Sequence, residues 1–415
     1  MGKEVVLRNN SEKFAYLRET LDITTKELAG DKVTEKFIRM VERQKRNMSK
    51  ETAIEVMRNV INFANEKGID LDLDEEYLAR SKEDDLCEIC DKLDNTLENR
   101  DIFNKIIDYA EENNYPWAKI MAIKKIGNVY FINKKFNEAY EIYLSCLNMI
   151  DGLKSNRYKE AIYTSIGNIK VNTSKYEEAL IYFEEALNYC YLNDNFHIKI
   201  KIEYNLAITY FNLNQFNKSL KKIRECLQKE VDRKLYFKFK LLQGGNYIKL
   251  NLFQDALDVY QELCRYSNLN NEFKGVMYNN MAVCYMNNGK YDDSKKYFDL
   301  TKEIAKSVPY MAHRAILDNA YLEKTLGKYE KTKELFFEGI RLSEEVGDYQ
   351  YQLTYLKELY FLYEEENIDI DMKKIIWDIL RLAKCRKFNE EIIWARKKLI
   401  DIAIKENDLS ILKEA

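Results

Sequence analysis

The chain has 415 residues, with 66 Lys and Arg against 69 Asp and Glu for a net charge of −3, and it contains only 2 Pro and 13 Gly. So few helix breakers among so many charged residues suit long helices and argue against a sheet protein built on tight turns. No run of 18 apolar residues occurs and the start, Met1-Gly-Lys-Glu, carries no secretory core, so a cytoplasmic protein with no membrane partner is expected.

From Ser11 to about Gly68 the pattern predicts several short helices. Thr24 followed by Glu27 is a capping box that opens a helix through Leu28 and Ala29, which Gly30-Asp31 then break. Thr34 opens a second helix from Glu35 to about Arg43, with Ile38 and Val41 on one side. Ser49 caps a third, which turns Ile54, Met57, Val60, Ile61 and Ala64 inward. Two short helices across a tight turn, the second rich in long exposed side chains, have the layout of a helix-turn-helix. Residues 1–68 hold 14 Lys and Arg against 11 Asp and Glu, a net of +3 that leaves −6 for the remainder, and this sign suits DNA. The other reading is a small helical cap on the rest of the chain.

The residues Leu17-Arg18, Thr24 to Ala29, Val33-Thr34, Ile38 and Val41-Glu42-Arg43 resemble the Cro/CI-type repressor domain over residues 11–65, with Gln44 where that family ends its helix on Gly. The resemblance implies that the helix opened by Thr34 turns Glu35, Lys36, Phe37, Arg39 and Met40 toward the major groove of double-stranded operator DNA. It places Thr25, Arg43, Lys45 and Arg46 near phosphates.

Residues 69–98 read as an acidic helical linker, with Asp70, Asp72, Asp74, Glu75 and Glu76 ahead of a helix-like Leu78 to Leu97. Cys87 and Cys90 lie in it at a spacing that places both on one helix face. No second pair or nearby His completes a metal site, so packing is the expectation.

Residues 99–415 read as a repeat domain. Gly127, Gly167, Ala207, Gly244, Ala282 and Ala320 anchor one pattern at intervals of 37 to 40 residues. Nine residues past each anchor stands an aromatic, Phe136, Tyr176, Phe216, Phe253, Tyr291 or Tyr329. Twelve past it stands a small residue such as Ala139, and sixteen past it a bulky one such as Tyr143, Phe183 or Tyr260. Small residues let two helices approach and bulky ones fill the gap to the next pair, so each unit needs its neighbours. This order resembles the tetratricopeptide repeat in a longer form. After Ile340, helices over Tyr351–Glu365, Ile375–Cys385 and Ile392–Ile404 are predicted to close the stack.

The first helix of each repeat is expected to line an inner wall. It carries Lys124 and Asn128, Thr164 and Asn168, Lys201 and Asn205, Asn279 and Asn280, and Asp318. An Asn amide offers a donor and an acceptor to the backbone of an extended peptide, and the lysines offer charge to a carboxylate. No phosphate-loop, dinucleotide, zinc-hydrolase or serine-hydrolase motif occurs, so no enzyme, cofactor or metal is expected.

An all-α chain with a Cro/CI-type helix-turn-helix ahead of a tetratricopeptide-like solenoid is similar to the Gram-positive peptide-pheromone receptors of the Rap, Rgg, NprR, PlcR and PrgX type, nearest to clostridial RstA-like regulators of sporulation and toxin genes. The resemblance implies a homodimeric transcription regulator whose repeats bind a short signalling peptide. Tyr360, Trp377 and Trp394 are the expected interface. The alternative is a solenoid adaptor that binds a signalling protein and does little on DNA.

Overall fold

The computed structural model describes residues 7–30, 33–193, 195–266, 269–308 and 311–408; the side chain of His197, one of two histidines, falls outside the description. The described residues form helices and no strand, and none of these helices is long and apolar enough to cross a membrane. The chain divides into two compact units, Met1–Asn205 and Leu206–Ala415.

In the first unit, α1 (Asn10–Leu21), α2 (Thr25–Ala29), α3 (Glu35–Glu42) and α4 (Lys50–Glu66) close around Phe14, Leu17, Leu28, Ile38, Val56 and Met57. The three caps read from sequence form. Thr24 accepts from the Glu27 amide at 3.2 Å while Glu27 accepts from the Thr24 amide at 2.7 Å. Thr34 and Ser49 cap α3 and α4. A further capping box, Asn9 with Glu12, opens α1 and was not legible in the apolar pattern. The α4 face is rotated from the expected one: Ala53 and Val56 are buried, while Ile54 and Ile61 are half-buried. At the end of α3, Gln44 takes the left-handed conformation (φ 56) and the Lys45 amide donates to the Met40 carbonyl at 2.8 Å, closing the helix as a glycine would.

The acidic segment does more than connect. Tyr77 and Leu78 enter the core of the four helices, and α5 (Lys82–Lys92) packs Leu86, Cys87 and Cys90 against Phe103, Ile106, Ala118 and Met121. The fully buried Lys13 donates to the carbonyls of Tyr77 and Arg80 at 2.7 and 2.8 Å and pairs with Asp85 at 2.5 Å. Arg80 bonds both Asp74 and Asp85. Asp85 is thus neutralised inside the fold and Asp74 paired at its surface, which composition alone could not reveal. Burial pushes both thiols of the CxxC pair up to about 12, which keeps them protonated and inert.

The repeats continue as α6 (Arg100–Glu112), α7 (Pro116–Ile132), α8 (Phe136–Gly152), α9 (Lys159–Asn172), α10 (Tyr176–Leu192) and α11 (Phe196–Asn212). The second unit adds α12 (Phe216–Leu227), α13 (Arg233–Lys249), α14 (Phe253–Cys264), α15 (Asn271–Asn287), α16 (Tyr291–Ala305), α17 (Ala312–Thr325), α18 (Tyr329–Val346), α19 (Tyr349–Glu366), α20 (Asp369–Arg386) and α21 (Asn389–Glu406). Each aromatic nine past an anchor is the first residue of the repeat's second helix. Just before it the turn passes through a left-handed residue, Lys134, Ser174, Asn214, Asn251, Gly289 or Gly327.

The anchor's smallness has a direct cause. A Cβ on Gly127, Gly167 or Gly244 would lie 2.7, 2.5 or 2.3 Å from the ring of Tyr143, Phe183 or Tyr260, the bulky residue sixteen positions on. Where the small residue at twelve is Ser, its hydroxyl donates to the anchor's carbonyl, as Ser219 does to Ala207 at 2.8 Å and Ser294 to Ala282 at 2.9 Å.

In the closing helices, Tyr360 is buried and meets Trp394 edge-on at 5.4 Å, while Trp377 is half-buried against the same core. Tyr360 and Trp394 thus help to pack the stack, while Trp377 and Trp394 keep part of their surface outside it. The exposed apolar residues of α21 are Ile393, Ile400 and Ile404.

Candidate functional site

On α3, Ile38 and Val41 are buried, whereas Lys36 and Arg39 are exposed, as are Arg43, Lys45 and Arg46 beyond its end. Thr34 is exposed and caps the helix; Glu35, Phe37 and Met40 are half-buried. Arg39 is ion-paired with Glu35 one turn earlier, and the Arg46 guanidinium lies 5.5 Å from the Phe37 ring. Thr25 differs from its companions: it is 8% exposed and packs into the head, so its hydroxyl does not stand on the outer surface. The first position of α2 points inward here because α2 is a single short turn against α3 and α4.

The wall residues fall into two sets, one in each unit. In the first unit, Asn128 accepts from the Tyr143 hydroxyl at 2.7 Å, and Asn205 donates to Asn168 at 3.1 Å. Thr164 donates to the Glu160 carbonyl of its own helix at 2.6 Å. Lys124 is half-buried, and burial pulls its pKa below the usual lysine value. Lys201 is exposed.

In the second unit the first helices α15 and α17 adjoin, and Asp318 gathers their polar groups. Its Oδ2 accepts from Asn279 Nδ2 at 2.6 Å and from Arg314 Nε at 2.7 Å. Asn280 donates to the fully buried Tyr260 at 3.0 Å. A cavity of ≈ 210 Å³ opens among Val276, Asn279, Asn280, Met311, Arg314 and Tyr351. The Asp318 charge holds Arg314 above its ordinary pKa, so the guanidinium stays cationic. His313 is buried, stacked 5.0 Å from Tyr351 and 3.3 Å from the Ser343 hydroxyl, so it is a contact residue between helix pairs.

Arg314 and Tyr351 were missed from sequence. Arg314 sits one helical turn before Asp318, and that i,i+4 pairing was the available signal. Tyr351 comes from α19, past the point where the repeat pattern loosens.

The architecture is that of an all-helical, tetratricopeptide-like solenoid. The family model described as Tetratricopeptide repeat matches residues 157–190 and 276–307. No curated protein matches the chain by sequence. Among solved structures, the apo form of the quorum sensor NprR from B. thuringiensis is similar at 14% identity over 90% of this chain and 99% of that one, with a TM-score of 0.57. The Rap conjugation gene regulator of plasmid pLS20, solved in complex with the Phr* peptide, is similar at 10% identity over 95% and 96% of the two chains (TM-score 0.49). Apo RapI is similar at 14% identity over 58% of this chain and 99% of that one (TM-score 0.42). The likeness to NprR establishes a shared fold along most of the chain.

Proposed function

We propose that this protein is a peptide-responsive transcription regulator of the Gram-positive peptide-pheromone receptor type. The four N-terminal helices bind operator DNA, and the wall of first helices binds a short signalling peptide. The observation that carries the reading is α3: it is capped at its N-terminus, anchored by Ile38 and Val41, and it turns Lys36 and Arg39 outward with Arg43, Lys45 and Arg46 at its end. A helix held by its apolar side and exposing base-reading cations is what a major groove admits, with flanking cations for phosphates. One such helix covers few base pairs, so the working form is a homodimer reading two half-sites. A peptide that binds one arrangement of the repeats better than another shifts the balance between DNA-binding states.

The test is selection of the full chain on a random duplex library, then gel shifts at several salt concentrations. Lys36→Ala and Arg39→Ala should each lose about 1 to 3 kcal/mol on the selected duplex, while Arg46→Ala should weaken all duplexes alike and flatten the salt slope. Light scattering on the protein–duplex complex reads the dimer. Selection of no duplex above background would leave the solenoid-adaptor reading in its place.

A further inference from the structure

The cavity beside α15 and α17 has features that a packing defect would not need. Asn279 is 3% exposed, and its amide orientation is fixed because Nδ2 donates to a carboxylate that can only accept. That leaves Oδ1 buried and without a hydrogen-bond partner among the described residues. A buried carbonyl without a donor is destabilising, so the position favours a guest that brings an N–H.

Arg314, on the same cavity, bonds Asp318 through Nε only, and its side chain remains 56% exposed. The fork of its two Nη groups is unused by any described residue. Among the six lining side chains Arg314 is the one that carries charge, and Asp318, at 7% exposure, is not among them. The remaining walls, Val276, Met311 and Tyr351, supply apolar surface. An acceptor for an N–H, a guanidinium fork and an apolar lining together match a carboxylate next to an amide and an apolar side chain. Of the two lysines that sequence suggested for a carboxylate, Lys124 is half-buried with its charge disfavoured by desolvation and Lys201 is exposed, whereas Arg314 is held at Nε and leaves its fork open.

We infer that the α15–α17–α19 cavity is the carboxylate-anchoring subsite of the peptide ligand, with Arg314 holding a peptide carboxylate and Asn279 Oδ1 accepting the neighbouring peptide N–H. This rests on the peptide-binding reading above and adds to it the ligand's anchoring chemistry. The carboxylate has two sources, the peptide's own C-terminus or an acidic side chain.

The test uses the full chain and three random heptapeptide pools, with retained peptides counted by mass spectrometry after equilibrium filtration. One pool lacks Asp and Glu and has free C-termini; the second is the same but C-terminally amidated; the third is amidated and contains one Glu. The wild type should retain either the first or the third pool at least about tenfold more than the second, and which of the two identifies the source. Arg314→Gln should reduce that pool to the level of the second, with Arg314→Lys between, both variants keeping the wild-type thermal melt by circular dichroism. Should Arg314→Gln melt early, Arg314→Lys carries the comparison, since it keeps the charge and loses the fork. Equal retention of all pools, or retention unchanged in the variants, overturns the inference and leaves peptide binding standing. Retention of no pool overturns both.

Discussion

Lys13 is the single side chain whose removal should most disturb the first unit, because it satisfies two carbonyls and one carboxylate from a fully buried position. In Lys13→Met the stem still fills its space, but the carbonyls of Tyr77 and Arg80 lose their donor. Each unsatisfied buried group costs about 1 to 3 kcal/mol. Asp85 is not abandoned, since Arg80 Nε still donates to it at 3.0 Å, so the full penalty for stranding a buried charge does not apply. The desolvation that lowers the Lys13 pKa is also relieved. The net expectation is a loss of about 2 to 4 kcal/mol. Urea unfolding monitored by fluorescence in a Trp377→Phe/Trp394→Phe background leaves Trp117 as the reporter of this unit. A change below about 1 kcal/mol would refute the reasoning, as would a Lys13→Met/Asp85→Asn double variant whose effect equals the sum of the single ones, because neighbours in one network couple.

Adjacent glycines on α13 should respond oppositely. Gly244→Ala drives a Cβ into the Tyr260 ring and should cost about 1 to 3 kcal/mol, whereas Gly245→Ala, whose Cβ meets nothing nearer than 3.8 Å, should gain up to about 1 kcal/mol from helix propensity; paired thermal melts decide. Gln44→Gly should stabilise the N-terminal helices by about 1 kcal/mol by relieving a left-handed non-glycine residue, and a neutral or destabilising result in urea would show that the Gln44 side chain has a role. Burial lowers the His313 pKa below 6.5, partly offset by Asp348. Between that depressed value and 6.5 the unfolded chain takes up a proton that the folded chain refuses, so stability falls as pH drops through this window. The urea midpoint should therefore fall more steeply from pH 7.5 to 5.5 in the wild type than in His313→Gln.

Much of the fold was legible in the residues because it is local. A cap such as Thr34, an aromatic opening a helix such as Phe253, and a glycine such as Gly244 facing the bulky residue sixteen positions on are all short-range relations, and repetition makes them visible above noise.

Tertiary structure decided what lies between distant stretches. Lys13 finds Asp85 and thereby turns an acidic run, read as a linker, into a packed part of the first unit. Tyr360 and Trp394, expected at an interface, meet each other edge-on within the stack. Arg314, an ordinary surface arginine by sequence, gains a fixed fork over a cavity because Asn279, 35 residues earlier, and Tyr351, 37 later, are brought beside it. Sequence carries the period of the stack, but which polar groups remain unpaired depends on which side chains the stacking places in reach of one another, and that is a property of the assembled helices.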